Sequence, residues 1–118
     1  MEGNQLSLQL EFSKIDGIAY ISGPMSGFPE LNYPAFFEAE KFLEQRFTKV
    51  LNPAKLELDK DQEPSWENWM RKALCMMLAE ATHIVLLPGW EISKGAKFEL
   101  QTAEVLGLKI IEYDYINK

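Results

Sequence analysis

Short apolar runs rich in β-branched residues recur along the chain, and each is bounded by polar residues, glycine or proline. Runs of this length and composition predict buried strands. The predicted strands are residues 18–22 (IAYIS), 49–52 (KVLN), 83–87 (HIVLL) and 109–113 (KIIEY). Further upstream, residues 5–12 (QLSLQLEF) alternate polar and apolar positions, and residues 14–17 predict a turn. We interpret residues 1–17 as an N-terminal arm or an additional strand.

Apolar residues at helical spacing separate the four predicted strands. The predicted helices run from about Pro34 to Phe47, from Trp66 to about Ala81, and from Ser93 to Leu106. Asn32 and Ser65 stand where helix caps are expected, and Gly107 stands where a C-terminal glycine is expected. The stripe that starts at Trp66 continues with methionines and alanines, so core packing is favoured for Trp66 over the alternative that it stacks on a planar base.

Strands alternate with helices through short connections, and this order predicts an α/β fold with a parallel sheet covered on both faces by helices. The chain has 118 residues, enough for one domain with one hydrophobic core, so we expect a single domain over residues 1–118. Residues 55–64 are polar and predict a surface loop. The surplus of aromatic residues predicts a homodimer or a larger homo-oligomer.

Charge and cysteine content exclude several classes of function. The formal net charge is −6, which argues against binding a nucleic acid polymer, because that affinity comes from lysine and arginine. With Cys75 as the one cysteine and His83 as the one histidine, we expect no disulfide, no metal site and no cofactor. The sequence has neither a signal-peptide pattern nor an apolar run long enough for a membrane span. A reducing, cytoplasmic setting fits these features.

Two loops follow predicted strands and are candidates for a ligand site. Residues 22–27 follow the first strand, and residues 88–95 follow the third. In a doubly wound sheet both loops flank a crevice at the carboxyl edge. Glycine allows close backbone approach to a ligand, and a helix N-terminus offers N–H groups to an anion. Ser93 adds a hydroxyl there, and Gly95 leaves room for the ligand.

Glu99 is the first candidate for chemistry. It lies at the edge of the buried stripe of the third helix, so its carboxylate can face the crevice. A carboxylate in that position can act as a nucleophile at the anomeric carbon of a sugar. The alternative is a solvated glutamate paired with a lysine. Tyr20 points from a strand end toward the same crevice, where it either orients the carboxylate or packs as a core tyrosine.

Other residues near the loops have two interpretations each. Trp90 forms either a ligand wall or a subunit contact. Asn52 either binds a ligand or caps a turn. Glu91 is either a second carboxylate or a surface acid, and we expect no catalytic role for His83.

The motifs Tyr20-Ile-Ser-Gly-Pro24 and Gly95-Ala-Lys-Phe-Glu99-Leu-Gln-Thr-Ala103 resemble those of the nucleoside 2-deoxyribosyltransferases and of the 2′-deoxynucleoside 5′-monophosphate N-glycosidases. A longer pattern adds NYPAF, NPA and LLPGWE-x-S-x-GA. It resembles small, often phage-borne proteins grouped with the same family. The resemblance covers most of residues 18–112.

This resemblance implies a flavodoxin-like (Rossmann-like) three-layer sandwich with a mostly parallel sheet of four to five strands. It also implies cleavage or transfer at the N-glycosidic bond of a 2′-deoxynucleoside or its 5′-monophosphate. Glu99 takes the place of the catalytic nucleophile, and Tyr20 the place of the tyrosine beside it. The residues expected to bind the substrate are Ser22, Gly23, Pro24, Gly89, Trp90, Ser93 and Gly95, with Ser93 at the 5′-phosphate.

The chain departs from the family pattern at two points. Ser26 stands where the monophosphate branch has an arginine. The helix before the third strand has no acid around Leu74, where family members have an aspartate, so Glu67 or Glu91 is left to protonate the leaving base. Two further hypotheses therefore stay open. One is a binding module that senses a nucleotide without turnover. The other is a phosphoribohydrolase, which the long spacing from Pro88 to Glu99 disfavours and which a preference for ribonucleotides would reveal.

Overall fold

The computed structural model describes residues 14–117, and the strands in this range form one all-parallel sheet in the order β2-β1-β3-β4. The strands are β1 (Ile15–Ser22), β2 (Phe47–Leu51), β3 (His83–Leu86) and β4 (Lys109–Glu112). The helices are α1 (Tyr33–Leu43), α2 (Trp66–Glu80), α3 (Lys94–Val105) and the short α4 (Tyr113–Ile116). The predicted α/β fold with a parallel sheet is confirmed, with four strands in the described part, and the arrangement is that of a flavodoxin-like sandwich.

The pleat of β1 divides the core into two layers, because successive strand residues point to opposite faces of the sheet. Ala19 and Ile21 pack in a cluster with Phe36 of α1. Tyr20 faces the other way, into a cluster that includes Met77 of α2 and Ala103 of α3. Helices therefore cover both faces of the sheet, as predicted.

The order of the strands creates a crevice between β1 and β3. These two strands are neighbours, with Tyr20 opposite Ile84 and Ser22 opposite Leu86. The connection after β1 leads outward to β2, whereas the connection after β3 leads in the opposite direction to β4. At such a switch point the loops diverge and leave a crevice beyond the carboxyl ends of the strands.

Two predicted element boundaries differ from the structure by three residues or more. In the predicted turn at residues 14–17, residues 15–17 are strand, because β1 begins at Ile15 and pairs there with Phe47 of β2. Helix α1 ends at Leu43 rather than near Phe47. Phe47 has the spacing of the α1 stripe, but it opens β2 and is fully buried, with its ring 5.0 Å from that of His83.

The predicted N-terminal strand at residues 5–12 lies outside the described residues. No helix within residues 14–117 combines the length and apolar character that crossing a bilayer requires.

Candidate active site

A cavity of about 680 Å³ opens at the switch point. It lies between the loop after β1, the first turns of α1 and α2, and the first turns of α3. Residues predicted from the sequence that line it are Gly23, Pro24, Ser93, Gly95 and Glu99. The site is therefore formed by segments from four different parts of the chain.

Glu99 lies on the second turn of α3, at the inner wall of this cavity, with 4% of its surface exposed. The Tyr20 hydroxyl donates a hydrogen bond of 2.5 Å to its Oε2 atom. The Ser22 hydroxyl donates one of 2.6 Å to Oε1. Tyr20 and Ser22 are two positions apart on β1, so the pleat points both hydroxyls to the face that α3 covers. The two oxygens of one carboxylate thus have separate donors from one strand.

Burial shifts the titration of this group to near neutral pH. Removal from water disfavours the carboxylate and raises the pKa of Glu99 to about 7, while the hydrogen bonds from Ser22 and Tyr20 act in the opposite direction. Burial also raises the pKa of Tyr20 well above its ordinary value, and the neighbouring carboxylate adds to this. The phenol therefore stays protonated and remains a donor.

The start of α3 determines where Glu99 points. Gly89 has a positive φ of 90° and begins the short 3₁₀ turn Trp90–Ile92 that precedes the helix. The Ser93 hydroxyl accepts a hydrogen bond of 3.1 Å from the backbone N–H of Ala96 and so caps α3. Because the helix starts at the cavity edge, its second turn brings Glu99 opposite the end of β1.

Two glycines allow the loops to pack closely. A Cβ atom on Gly23 would lie 2.8 Å from the Cβ of Leu87, too close for any other residue without a shift of the backbone. A Cβ atom on Gly89 would lie 3.1 Å from Cγ of Pro24. Gly89 thus packs against Pro24 of the first loop and is not among the residues that line the cavity.

Much of the cavity wall is apolar and aromatic. It includes Phe28, Tyr33, Phe36, Trp66, Trp69 and the sulfur-bearing Met25 and Met70. Trp66 is 37% exposed, so the prediction that it packs in the core is wrong. Trp66 is the first residue of α2 and lines the cavity, whereas Met70 and Met77 on later turns of the helix are buried. The Lys94 ammonium lies 4.5 Å from the centre of the Trp66 ring.

The loop between β1 and α1 contains three successive non-glycine residues with left-handed backbone angles. Glu30, Leu31 and Asn32 have φ values of 53°, 54° and 61°. Such angles are unfavourable for residues with a Cβ atom. Asn32 does not cap α1 with its side chain; its Nδ2 atom donates instead to the carbonyl oxygen of Pro24, at 2.9 Å. This bond joins the two ends of the loop, and Leu31 between them lines the cavity.

The remaining sequence candidates lie elsewhere. Trp90 is outside the cavity wall, and its indole N–H donates to Glu112 on β4 at 3.2 Å. Asn52 is buried and accepts a hydrogen bond from the N–H of Ala54, which is the turn-capping alternative. Glu91 does not line the cavity, whereas Glu67 does and is exposed.

Sequence reasoning missed most of the aromatic wall. Phe28 and Trp69 fall in segments without a recognisable ligand motif, and Trp66 has the spacing of a core residue. The signal that can identify such residues is position: all three stand at or before the first turn of a helix, where a side chain can extend beyond the sheet. Among residues 14–117, no group of three histidine, cysteine or acidic side chains has an arrangement that can hold a metal ion.

Comparisons with known proteins include a match to a protein family. No curated protein and no solved structure matches the chain. The match is to the family described as "Domain of unknown function (DUF4406)", and it extends over residues 18–112, from the middle of β1 to the end of β4. It therefore includes Tyr20, Ser22 and Glu99 together with both loops of the cavity. The chain belongs to the DUF4406 family.

Proposed function

We propose that this protein cleaves the N-glycosidic bond of 2′-deoxynucleosides or their 5′-monophosphates, with Glu99 as the nucleophile. The observation that carries the proposal is the buried Glu99 carboxylate, held by two hydroxyls at the inner end of an aromatic-walled cavity. The resemblance of the motifs around Tyr20 and Glu99 to those of the nucleoside 2-deoxyribosyltransferases supports the same reaction.

The first step forms a covalent intermediate. A Glu99 oxygen attacks C1′ of the deoxyribose, the C1′–N bond breaks, and its electron pair leaves with the base, which takes up a proton. Each Glu99 oxygen accepts one hydrogen bond, so each still has a free lone pair for this attack. The product is a deoxyribosyl ester of Glu99.

The second step returns the carboxylate. A water molecule attacks C1′, the ester C1′–O bond breaks, and the water proton is released, which gives free deoxyribose or its 5-phosphate. If a second base attacks C1′ instead, the deoxyribosyl group is transferred. Either acceptor regenerates Glu99 as a carboxylate, and the Tyr20 and Ser22 hydroxyls stabilise its returning charge.

The cavity wall supports a substrate with a planar base and a polar sugar. Trp66 and Trp69 offer aromatic surface for stacking, and Glu99 lies deeper, where the anomeric carbon has to be. Ser93 and Lys94 line the same cavity at the start of α3, where a 5′-phosphate would meet a hydroxyl and an ammonium group. Glu67 is the second carboxyl group on the described wall and is our candidate for protonating the leaving base.

The direct test is to measure the release of free base by chromatography. All four 2′-deoxynucleosides and their 5′-monophosphates are incubated with the protein, each with and without an added second base. We expect release from at least one substrate, and exchange of the added base if the protein is a transferase. Ribonucleotides in parallel test the phosphoribohydrolase alternative.

Two variants make this test specific. Glu99→Gln keeps the shape of the side chain but removes the nucleophile, and we expect it to release no base. Glu104→Gln makes the same change on the same helix at an exposed position and should retain the parent rate. Mass spectrometry of protein quenched during turnover should find a deoxyribosyl group on Glu99. Absence of base release from every substrate would contradict the proposal.

A nucleotide-binding module without turnover is the second candidate. The observation that favours it is the exposure of Glu67, because the described wall has no other acid besides Glu99 to protonate a leaving base. In this case the parent protein and Glu99→Gln would both bind a deoxynucleotide in calorimetry, and neither would release base.

A further inference from the structure

Ser22 is the last residue of β1 and has no exposed surface. Its hydroxyl is hydrogen-bonded to Glu99, and it is not among the residues that line the cavity, although the sequence predicted a substrate contact. We propose that Ser22 is a positioning residue that holds the Glu99 carboxylate in place without touching the substrate. This inference rests on the proposed function, in which Glu99 is the nucleophile.

The geometry of the two donors supports a positioning role. Rotation about the last side-chain bond of a glutamate is weakly restricted, so one hydrogen bond restrains the carboxylate plane less than two do. Tyr20 holds Oε2 and Ser22 holds Oε1. With both oxygens held, rotation of the carboxylate about its bond to Cγ is restricted in both directions, and both donors lie at the buried end of β1. Removal of Ser22 would leave Oε1 buried without its partner.

The electrostatic environment of Glu99 also supports a positioning role for Ser22. Burial disfavours the carboxylate, and the hydrogen bond from Ser22 is the largest influence that lowers the pKa of Glu99. Tyr20 is the titratable group in direct contact with Glu99. Tyr33, Glu67 and Lys94 face the same cavity from α1, α2 and α3. Since a serine hydroxyl does not titrate in this range, its effect on Glu99 is the same at every working pH.

The test is to titrate Glu99 in Ser22→Ala. The titration is monitored by NMR of protein labelled with ¹³C at the glutamate carboxyl carbons. The Glu99 signal is identified by its absence in Glu99→Gln. We expect the midpoint to rise by about one pH unit when the hydroxyl is removed. Base release should then be about fivefold slower at pH 7, from the smaller ionised fraction alone, and close to the parent rate at pH 9.

Two further variants keep the test decisive. Ser65→Ala removes a different serine, the cap of α2 that accepts from Asn68, and should leave the Glu99 midpoint unchanged even though it weakens the fold. Ser22→Cys retains a weak donor of similar size and should give a midpoint between those of the parent and Ser22→Ala. If Ser22→Ala does not fold, the comparison of Ser22→Cys with the parent remains.

The outcomes separate this inference from the proposed function. An unchanged midpoint in both Ser22 variants, or a raised KM with an unchanged pH profile, would overturn the positioning role and favour substrate contact. If the parent protein releases no base, the proposed function is overturned. If the Glu99 midpoint is nevertheless raised in Ser22→Ala, the effect of Ser22 on Glu99 stands.

Discussion

The Tyr20 hydroxyl and the Glu99 carboxylate lie 2.5 Å apart although 79 positions separate them in the sequence. Within this buried pair the phenol keeps its proton and the carboxyl group titrates near neutral pH, because burial raises both pKa values and that of Glu99 reaches only about 7. The pair thus combines a permanent donor with a carboxylate whose charge depends on pH.

The first prediction is a pH profile. If Glu99 attacks as a carboxylate, kcat/KM should fall about tenfold per pH unit below pH 7 and level off above it. Tyr20→Phe removes a hydrogen bond that lowers the pKa of Glu99, so its midpoint should lie at higher pH than that of the parent. Steady-state rates of base release from pH 5 to pH 9 measure both. A rate independent of pH between 5 and 8 would contradict the assignment.

The second prediction concerns stability. The pKa of Glu99 is about 7 in the folded protein, against an ordinary value of 4.5, so the folded state binds more protons between these values. The contribution of Glu99 to the free energy of unfolding should therefore fall by on the order of 3 kcal/mol as pH rises from 4.5 to 7. Glu99→Gln should be more stable than the parent at pH 8 and similar to it at pH 4.5.

Urea denaturation of both proteins across this pH range isolates the contribution of Glu99, because other titrating groups are common to the two. A difference in the free energy of unfolding that does not change with pH would show that Glu99 is not held out of water.

The third prediction distinguishes two tryptophans. Trp66 lines the cavity, whereas Trp90 lies outside it and donates to Glu112. Stacking of a base on an aromatic ring contributes about 1–3 kcal/mol, so Trp66→Ala should raise KM by about tenfold with little change in kcat. Trp90→Ala should weaken the fold and leave KM unchanged. Steady-state kinetics with one deoxynucleotide measure both, and the reverse pattern would restore Trp90 as the ligand wall.

The fourth prediction tests the packing at the other end of the sheet. A Cβ atom at Gly17 would lie 2.7 Å from Oγ1 of Thr82 and 2.9 Å from Cε1 of His83, so Gly17→Ala should lower the free energy of unfolding by about 1–3 kcal/mol. Gly95→Ala is the matched control. Its Cβ would lie 3.4 Å from Sδ of Met70, and alanine favours the helix. Urea denaturation measures the free energy of unfolding of both variants, and an equal loss in Gly17→Ala and Gly95→Ala would contradict this account.

The sequence predicted what depends on local pattern. Four strands and three long helices follow from periodicity, and the cap at Ser65 follows from residue type at a helix start, whereas the predicted side-chain cap at Asn32 does not form. The boundary between α1 and β2 was missed because Phe47 fits both the helical stripe and a strand. Only its pairing with Ile15 on a distant segment decides between the two.

The site was partly predictable for the same reason. Glu99 and Tyr20 belong to motifs, and their loops follow strands, so their proximity follows from the topology. The aromatic wall depends instead on which helix starts meet at the cavity, which follows from the assembled fold and not from the spacing of apolar residues. Trp66 illustrates this: its spacing is that of a core residue, but its place at the first position of α2 leaves it 37% exposed.

The division of β1 into two faces also constrains how the gene can change. Tyr20 and Ser22 face α3, and Ala19 and Ile21 face α1. Inserting or deleting a single codon just before Tyr20 would exchange odd and even positions, and would place both hydroxyls among apolar side chains and apolar side chains against Glu99. Only insertions or deletions of an even number of residues keep both hydroxyls on the face of Glu99. The pleat of one strand therefore limits which length variants can retain the site.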